Sequence, residues 1–179
     1  AADPTIHEVI LSGGDPLLLD DDRLTALLDR LVAIPSVRRI RIHTRLPIVL
    51  PSRVTPRLAA LLAALPAKPV VVIHANHPAE LGGDVPGALG RLAGTGALML
   101  NQAVLLAGVN DALPALAGLS ERLLDCGVLP YYLHLPDRVA GTGHFDVPEE
   151  AALRLHGELR ATLPGYAVPR LVREVPGEA

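Results

Sequence analysis

The sequence predicts an α/β fold, a partial (β/α) barrel of parallel strands. Three observations carry this expectation. Short β-branched, apolar runs alternate with segments whose leucines recur at helical spacing. The strand runs are apolar almost throughout, as strands covered on both faces must be. The polar residues gather just after the strands, where barrel enzymes keep their chemistry.

Taken in order, residues 7–11 form a first strand, broken by Ser12-Gly13-Gly14-Asp15-Pro16. Residues 20–34 carry Leu24, Leu27, Leu28 and Leu31 on one helical stripe. A strand over 37–42 leads to His43-Thr44-Arg45. Thr55 caps the next helix with Pro56 at its first position, and Leu58, Leu61, Leu62 and Leu65 supply its apolar face. A strand over 69–73 ends at His74-Ala75-Asn76-His77, and a helix follows over 85–93. The strand over 97–100 ends at Asn101-Gln102. Residues 111–126 are helical, started by Asn110-Asp111 and closed by Gly127 as a left-handed cap. A strand over 128–133 leads to His134 and Asp137. A helix over 148–163 and a sixth apolar run over 166–172 complete the pattern. No low-complexity segment interrupts it, so residues 1–179 read as one domain. An open dinucleotide-binding sheet would carry a glycine fingerprint after its first strand, and Ser12 to Pro16 is not that fingerprint.

Composition narrows the function. The net charge is −3 with no basic stripe, which argues against nucleic-acid binding. No run of eighteen apolar residues is present, so no membrane span is expected. The single cysteine, Cys126, excludes an internal disulfide and a three-cysteine cluster site within these residues. It fits a reducing, cytoplasmic setting and reads as a small buried hydrophobe.

Parallel strands bring Ser12 to Asp15, His43 and Arg45, His74 to His77, Asn101 and Gln102, and His134 with Asp137 to one rim. Gly13 and Gly14 allow close backbone approach to a ligand, and Asp15 can accept from an ammonium or simply satisfy local amides. Arg45 can clamp a carboxylate or form a surface ion pair. Asp137 suits a substrate ammonium or a loop anchor. The histidines leave two further readings open: a metal-dependent hydrolase using His43, His74, His77 and Asp137, and a non-catalytic barrel that binds a small molecule.

Glu8-Val9-Ile10-Leu11-Ser12-Gly13-Gly14-Asp15-Pro16-Leu17 resembles the second-strand motif of radical S-adenosylmethionine enzymes. The match continues through His43-Thr44-Arg45-Leu46-Pro47, the block Val49 to Thr55, and His74-Ala75-Asn76-His77-Pro78. It runs on through Asn101 to Leu106 with Gly108 to Asp111, Pro130 to Asp137, Gly165 to Pro169, and Leu171 to Glu174. These blocks stand in the order found in the lysine 2,3-aminomutase family, and they resemble most its branch serving elongation factor P.

That resemblance implies a radical S-adenosylmethionine barrel lacking its first strand, and isomerisation of L-lysine to (R)-β-lysine by 1,2-amino migration. The implied cofactors are S-adenosylmethionine, a [4Fe–4S] cluster and pyridoxal 5′-phosphate. Gly13, Gly14 and Asp15 would contact S-adenosylmethionine, with His43 and Gln102 lining the cofactor rim. Arg45 would take the lysine carboxylate, and Asp137 and Glu174 its far ammonium. Position 174 is aspartate in other members, so the longer Glu174 bears on substrate fit. The family's CxxxCxxC loop and pyridoxal phosphate lysine are expected outside these residues, before the first motif and after Ala179. Lys68 matches no motif. The chain therefore reads as a fragment, inactive alone, with no catalytic residue and no metal ligand of its own.

Overall fold

The computed structural model describes residues 3–136, 141 and 143–173. Six strands alternate with helices, and the sheet runs in chain order, β1-β2-β3-β4-β5-β6, without closing. The strands are β1 (Glu8–Leu11), β2 (Arg39–Thr44), β3 (Lys68–His74), β4 (Leu98–Val104), β5 (Leu129–His134) and β6 (Arg170–Val172). The helices are α1 (Asp21–Val32), α2 (Leu46–Val49), α3 (Pro56–Ala63), α4 (Val85–Ala93), α5 (Leu113–Asp125) and α6 (Glu149–Thr162). The chain divides into two compact units, one of Ala1–His74 with Gly83–Leu100, the other of Ala75–Gly82 with Asn101–Ala179.

In the first unit β1, β2 and β3 pair in parallel, with Glu8 opposite Arg39, Arg39 opposite Lys68, and Thr44 opposite Ile73. Strand periodicity sends Ile40, Ile42 and Thr44 to the buried face, while Arg41 and His43 point to the other. Asp20 caps α1 by accepting the Arg23 amide, and Thr55 caps α3 by accepting the Leu58 amide. Leu24 and Leu28 of α1, and Leu58 and Leu62 of α3, are buried. Burial of one such leucine contributes about 2 kcal/mol.

The second unit pairs β5 with β6 in parallel, Leu133 opposite Leu171. Its core includes Leu116, Leu119 and Leu123 of α5 and Leu159 of α6. Gly127, at φ 72°, ends α5 in the left-handed conformation that the sequence calls for.

Three elements differ from the sequence reading. β4 extends to Val104, so Asn101 and Gln102 lie inside the strand instead of after it. Asn110 does not start α5: Ala112 occupies the cap without a side-chain hydrogen bond, and the Asn110 amide is engaged elsewhere. The sixth apolar run divides into a 3₁₀ turn, Gly165–Ala167, and the three-residue β6. No described helix is long and apolar enough to cross a membrane.

Candidate functional site

In the first unit, the polar residues predicted after β1, β2 and β3 stand at the carboxyl ends of those strands. After β1 the chain turns through Gly13 and Gly14, at φ 85° and 63°. A Cβ added at either position would meet nothing within 4 Å, so the space over this turn is open. The positive φ, and not crowding, is what calls for glycine here.

Asp15 follows, and its carboxylate is heavily engaged. Oδ1 accepts the Leu17 amide at 3.0 Å and the Thr44 hydroxyl at 2.7 Å. Oδ2 accepts the Arg45 amide at 2.7 Å and the Leu46 amide at 3.3 Å. Arg45 is exposed at the first position beyond β2, where it begins α2.

His43 sits one residue before the end of β2 and is half-buried, with a buried Nε2 that meets no hydrogen-bond partner. Its ring lies 6.0 Å from that of His74, the last residue of β3. Burial, and then the charge of Arg41, holds the His43 pKa below the ordinary histidine value. Further down the same sheet face, Glu8 accepts hydrogen bonds from Arg39, at 2.8 Å, and from Arg41. The Arg39 bond is the largest cause holding Glu8 below its ordinary value, and burial opposes it.

In the second unit three asparagines tie the segment after β3 to β4 and the loop beyond it. Asn101 bonds both backbone groups of Ala75. Asn76 Oδ1 accepts the Val104 amide at 2.8 Å. Asn110, fully buried, accepts the Leu106 amide and donates to the carbonyls of Asn76 and Val104. Gln102 is half-buried on the strand face opposite Asn101 and Ala103. His77 caps a 3₁₀ turn: its Nδ1 accepts the Ala79 amide, while Glu80 takes the amides of Asn76 and His77. That nitrogen is spent locally. His134 ends β5 with its ring edge-on to Tyr132. Asp137 and Glu174 lie outside the described residues.

Two residues that the sequence did not single out organise this architecture. Thr44, 2% exposed, ties the end of β2 to Asp15. Arg53 donates from Nε to the Leu17 carbonyl at 2.7 Å and from Nη2 to the Leu19 carbonyl at 2.8 Å, and pairs with Asp21 at 2.8 Å. Both sit in recognisable blocks, yet each partner is distant in sequence, which no local pattern reveals. Among the described residues, no three His, Cys, Asp or Glu side chains are grouped so as to hold a metal ion. Cys126, at the end of α5, is half-buried, and burial raises its thiol pKa.

No protein-family model matches the chain. Curated relatives do. It is 45% identical over 178 residues to the L-lysine 2,3-aminomutase of Haemophilus influenzae, covering 99% of this chain and 53% of that protein. It is 46% identical over 178 residues to the protein of the same name from Escherichia coli (strain K12), covering 99% of this chain and 52% of that one. The chain thus spans about half the length of the curated relatives it matches.

Among solved structures, a radical SAM methyltransferase from Sphaerobacter thermophilus superposes with a TM-score of 0.64 at 22% identity, over 94% of this chain and 51% of that one. A domain of pyruvate-formate lyase-activating enzyme from Bacteroides vulgatus gives 0.63 at 16%, over 94% of this chain and 99% of that domain. Streptococcus suis SuiB bound to S-adenosylmethionine gives 0.66 at 14%, over 94% of this chain and 39% of that one. These likenesses concern the fold alone, a parallel α/β sheet flanked by helices. The ordered motifs and the identity agree: along its whole length the chain is similar to the matching half of proteins named L-lysine 2,3-aminomutase.

Proposed function

We propose that this chain supplies the S-adenosylmethionine-binding and lysine-binding face of an isomerase that converts L-lysine to (R)-β-lysine for modification of elongation factor P. The observation that carries the reading is the Gly13-Gly14 turn, with two positive φ angles and open space above it at the end of a parallel strand. Such a turn lets backbone groups meet a ligand closely. The names of the relatives support lysine as the substrate class.

The residues present fit S-adenosylmethionine, which on reductive cleavage supplies the radical that removes a hydrogen from the substrate. Gly13, Gly14 and the backbone at Asp15 take the methionine end of that molecule. In the first unit His43 lines the cofactor rim, and a neutral His43 suits an apolar, uncharged neighbour. Arg45 receives the substrate carboxylate through its guanidinium fork. Asp137 and Glu174 receive the far ammonium.

The same residues do not fit the other two groups that the family implies. One cysteine cannot ligate a three-cysteine cluster. Lys68 opens β3, at the opposite strand end from His74, and donates to the Gly96 carbonyl, so it does not serve pyridoxal phosphate.

The test uses the full-length protein, purified without oxygen and given dithionite, S-adenosylmethionine and L-lysine. The expected result is β-lysine in the product mixture, together with loss of the β-lysyl mass from elongation factor P when the gene is disrupted. Consumption of S-adenosylmethionine with lysine recovered unchanged would refute the substrate assignment. Consumption of neither would refute the reading as a whole.

A further inference from the structure

We infer that Asp15 is a positioning residue: its carboxylate latches the Gly13-Gly14 turn to the backbone at Thr44, Arg45 and Leu46, and does not itself touch the ligand. The inference rests on the proposed S-adenosylmethionine site and names what holds that site in shape.

The first argument is acceptor capacity. An ionised carboxylate offers about four lone-pair positions. Asp15 receives the amides of Leu17, Arg45 and Leu46 and the hydroxyl of Thr44. The hydroxyl has one proton, so it bonds to the nearer oxygen, Oδ1 at 2.7 Å, in preference to Oδ2 at 3.0 Å. The Leu46 amide is shared with the Thr44 hydroxyl oxygen, 3.1 Å away, so three donors hold the carboxylate fully and a fourth holds it in part; most of its acceptor positions are turned to the latch and not to a ligand ammonium.

The second argument is entropy. Two adjacent glycines at positive φ would sample many conformations in a free loop. A turn that orders only on binding weakens the ligand by that cost, and one ordered beforehand does not. Asp15 pins the turn from one side. Arg53 holds the next residues from the other, through the carbonyls of Leu17 and Leu19.

The third argument is connection. The same carboxylate that orders the turn bonds the amide of Arg45. The root of the Arg45 side chain is therefore fixed to the turn, and the two groups present themselves to ligands as one rigid piece.

Thr44 provides a clean test because it is 2% exposed and beyond the reach of any ligand, yet it donates to Asp15. In the full-length protein, calorimetry would give Kd for S-adenosylmethionine, and amide hydrogen exchange would be followed at Leu17, Arg45 and Leu46. Thr44→Val should weaken binding about tenfold, as loss of a charge-assisted hydrogen bond does. Thr44→Ser, which keeps the hydroxyl, should bind as the unmodified protein does. Asp15→Asn, which turns a donor toward backbone donors, should weaken binding as much or more and speed exchange at all three amides. Unchanged binding in Thr44→Val alongside lost binding in Asp15→Asn would make Asp15 a direct ligand contact and overturn the latch. Slow exchange preserved in Asp15→Asn would overturn it as well. If the unmodified protein does not bind S-adenosylmethionine, the proposed function fails, and the exchange rates alone decide whether the latch stands.

Discussion

The side chain of Asn101 makes both backbone hydrogen bonds of Ala75: its Oδ1 accepts the Ala75 amide at 2.9 Å, and its Nδ2 donates to the Ala75 carbonyl at 3.1 Å. An amide side chain here imitates a strand partner just past the end of β3. It also explains how a polar residue sits 2% exposed within β4.

Asn101→Leu would leave both Ala75 groups buried without partners. The expected cost is on the order of 3 kcal/mol. Urea denaturation of the two proteins checks this, and a loss below about 0.5 kcal/mol, the range of an indifferent surface change, would count against it.

Arg53 is a three-way pin between Leu17, Leu19 and Asp21. Arg53→Lys keeps the charge but loses the planar fork, so it should recover only part of what Arg53→Met loses, the latter being about 2 kcal/mol. Equal stability of the lysine variant and the parent would show that charge alone matters.

Alanine at Gly13 or Gly14 meets no neighbour, so its penalty comes from positive φ, at about 1 kcal/mol each. Both variants should fold, and both should bind S-adenosylmethionine more weakly than stability alone requires. Calorimetry on the folded variants measures this; an unchanged Kd would remove the turn from the binding site.

Acid should destabilise the protein in two stages. Burial and Arg41 hold His43 below the ordinary value of 6.5, so the unfolded chain binds protons that the folded chain refuses. Stability is thus full above pH 6.5 and declines as pH falls through the folded value. Glu8, held below its ordinary 4.5 chiefly by Arg39, has the same sign, with its decline below pH 4.5. His43→Gln should flatten the first stage only, read from denaturation midpoints across pH. Parallel pH profiles for the two proteins would contradict the assignment to His43.

Local signals were enough for much of the fold. Thr55 before Pro56 gave the start of α3, Val85 to Ala93 emerged as α4, and Gly127 closed α5. Two of the departures share a physical cause, which is side chains used at long range. Asn101 resembles a strand end until its partner, twenty-six residues away, is seen. Asn110 resembles a helix cap, but its amide is drawn back thirty-four residues to Asn76. The four-residue α2, with Pro47 inside it and Pro51 soon after, lacks periodicity long enough to detect.

In the first unit, Ser12 to Asp15, Arg45 and His74 stand at the strand ends where the sequence puts them, whereas Asn101 and Gln102 lie inside β4. The turn at Gly13 and Gly14 has the conformation that its sequence implies. What could not be read was division of labour. Asp15 carries equally a ligand-binding and a turn-satisfying meaning in sequence, and its bonds to Thr44, Arg45 and Leu46, which support the second, run to residues some thirty positions away.

Titration of the isotope-labelled full-length protein with S-adenosylmethionine, followed by amide resonances, tests the location of the site most directly. Binding at the carboxyl ends of β1, β2 and β3 requires the largest changes at Gly13, Gly14 and Arg45, with smaller ones at His43 and His74. Changes confined to residues away from those strand ends, or none at saturating ligand, would contradict it.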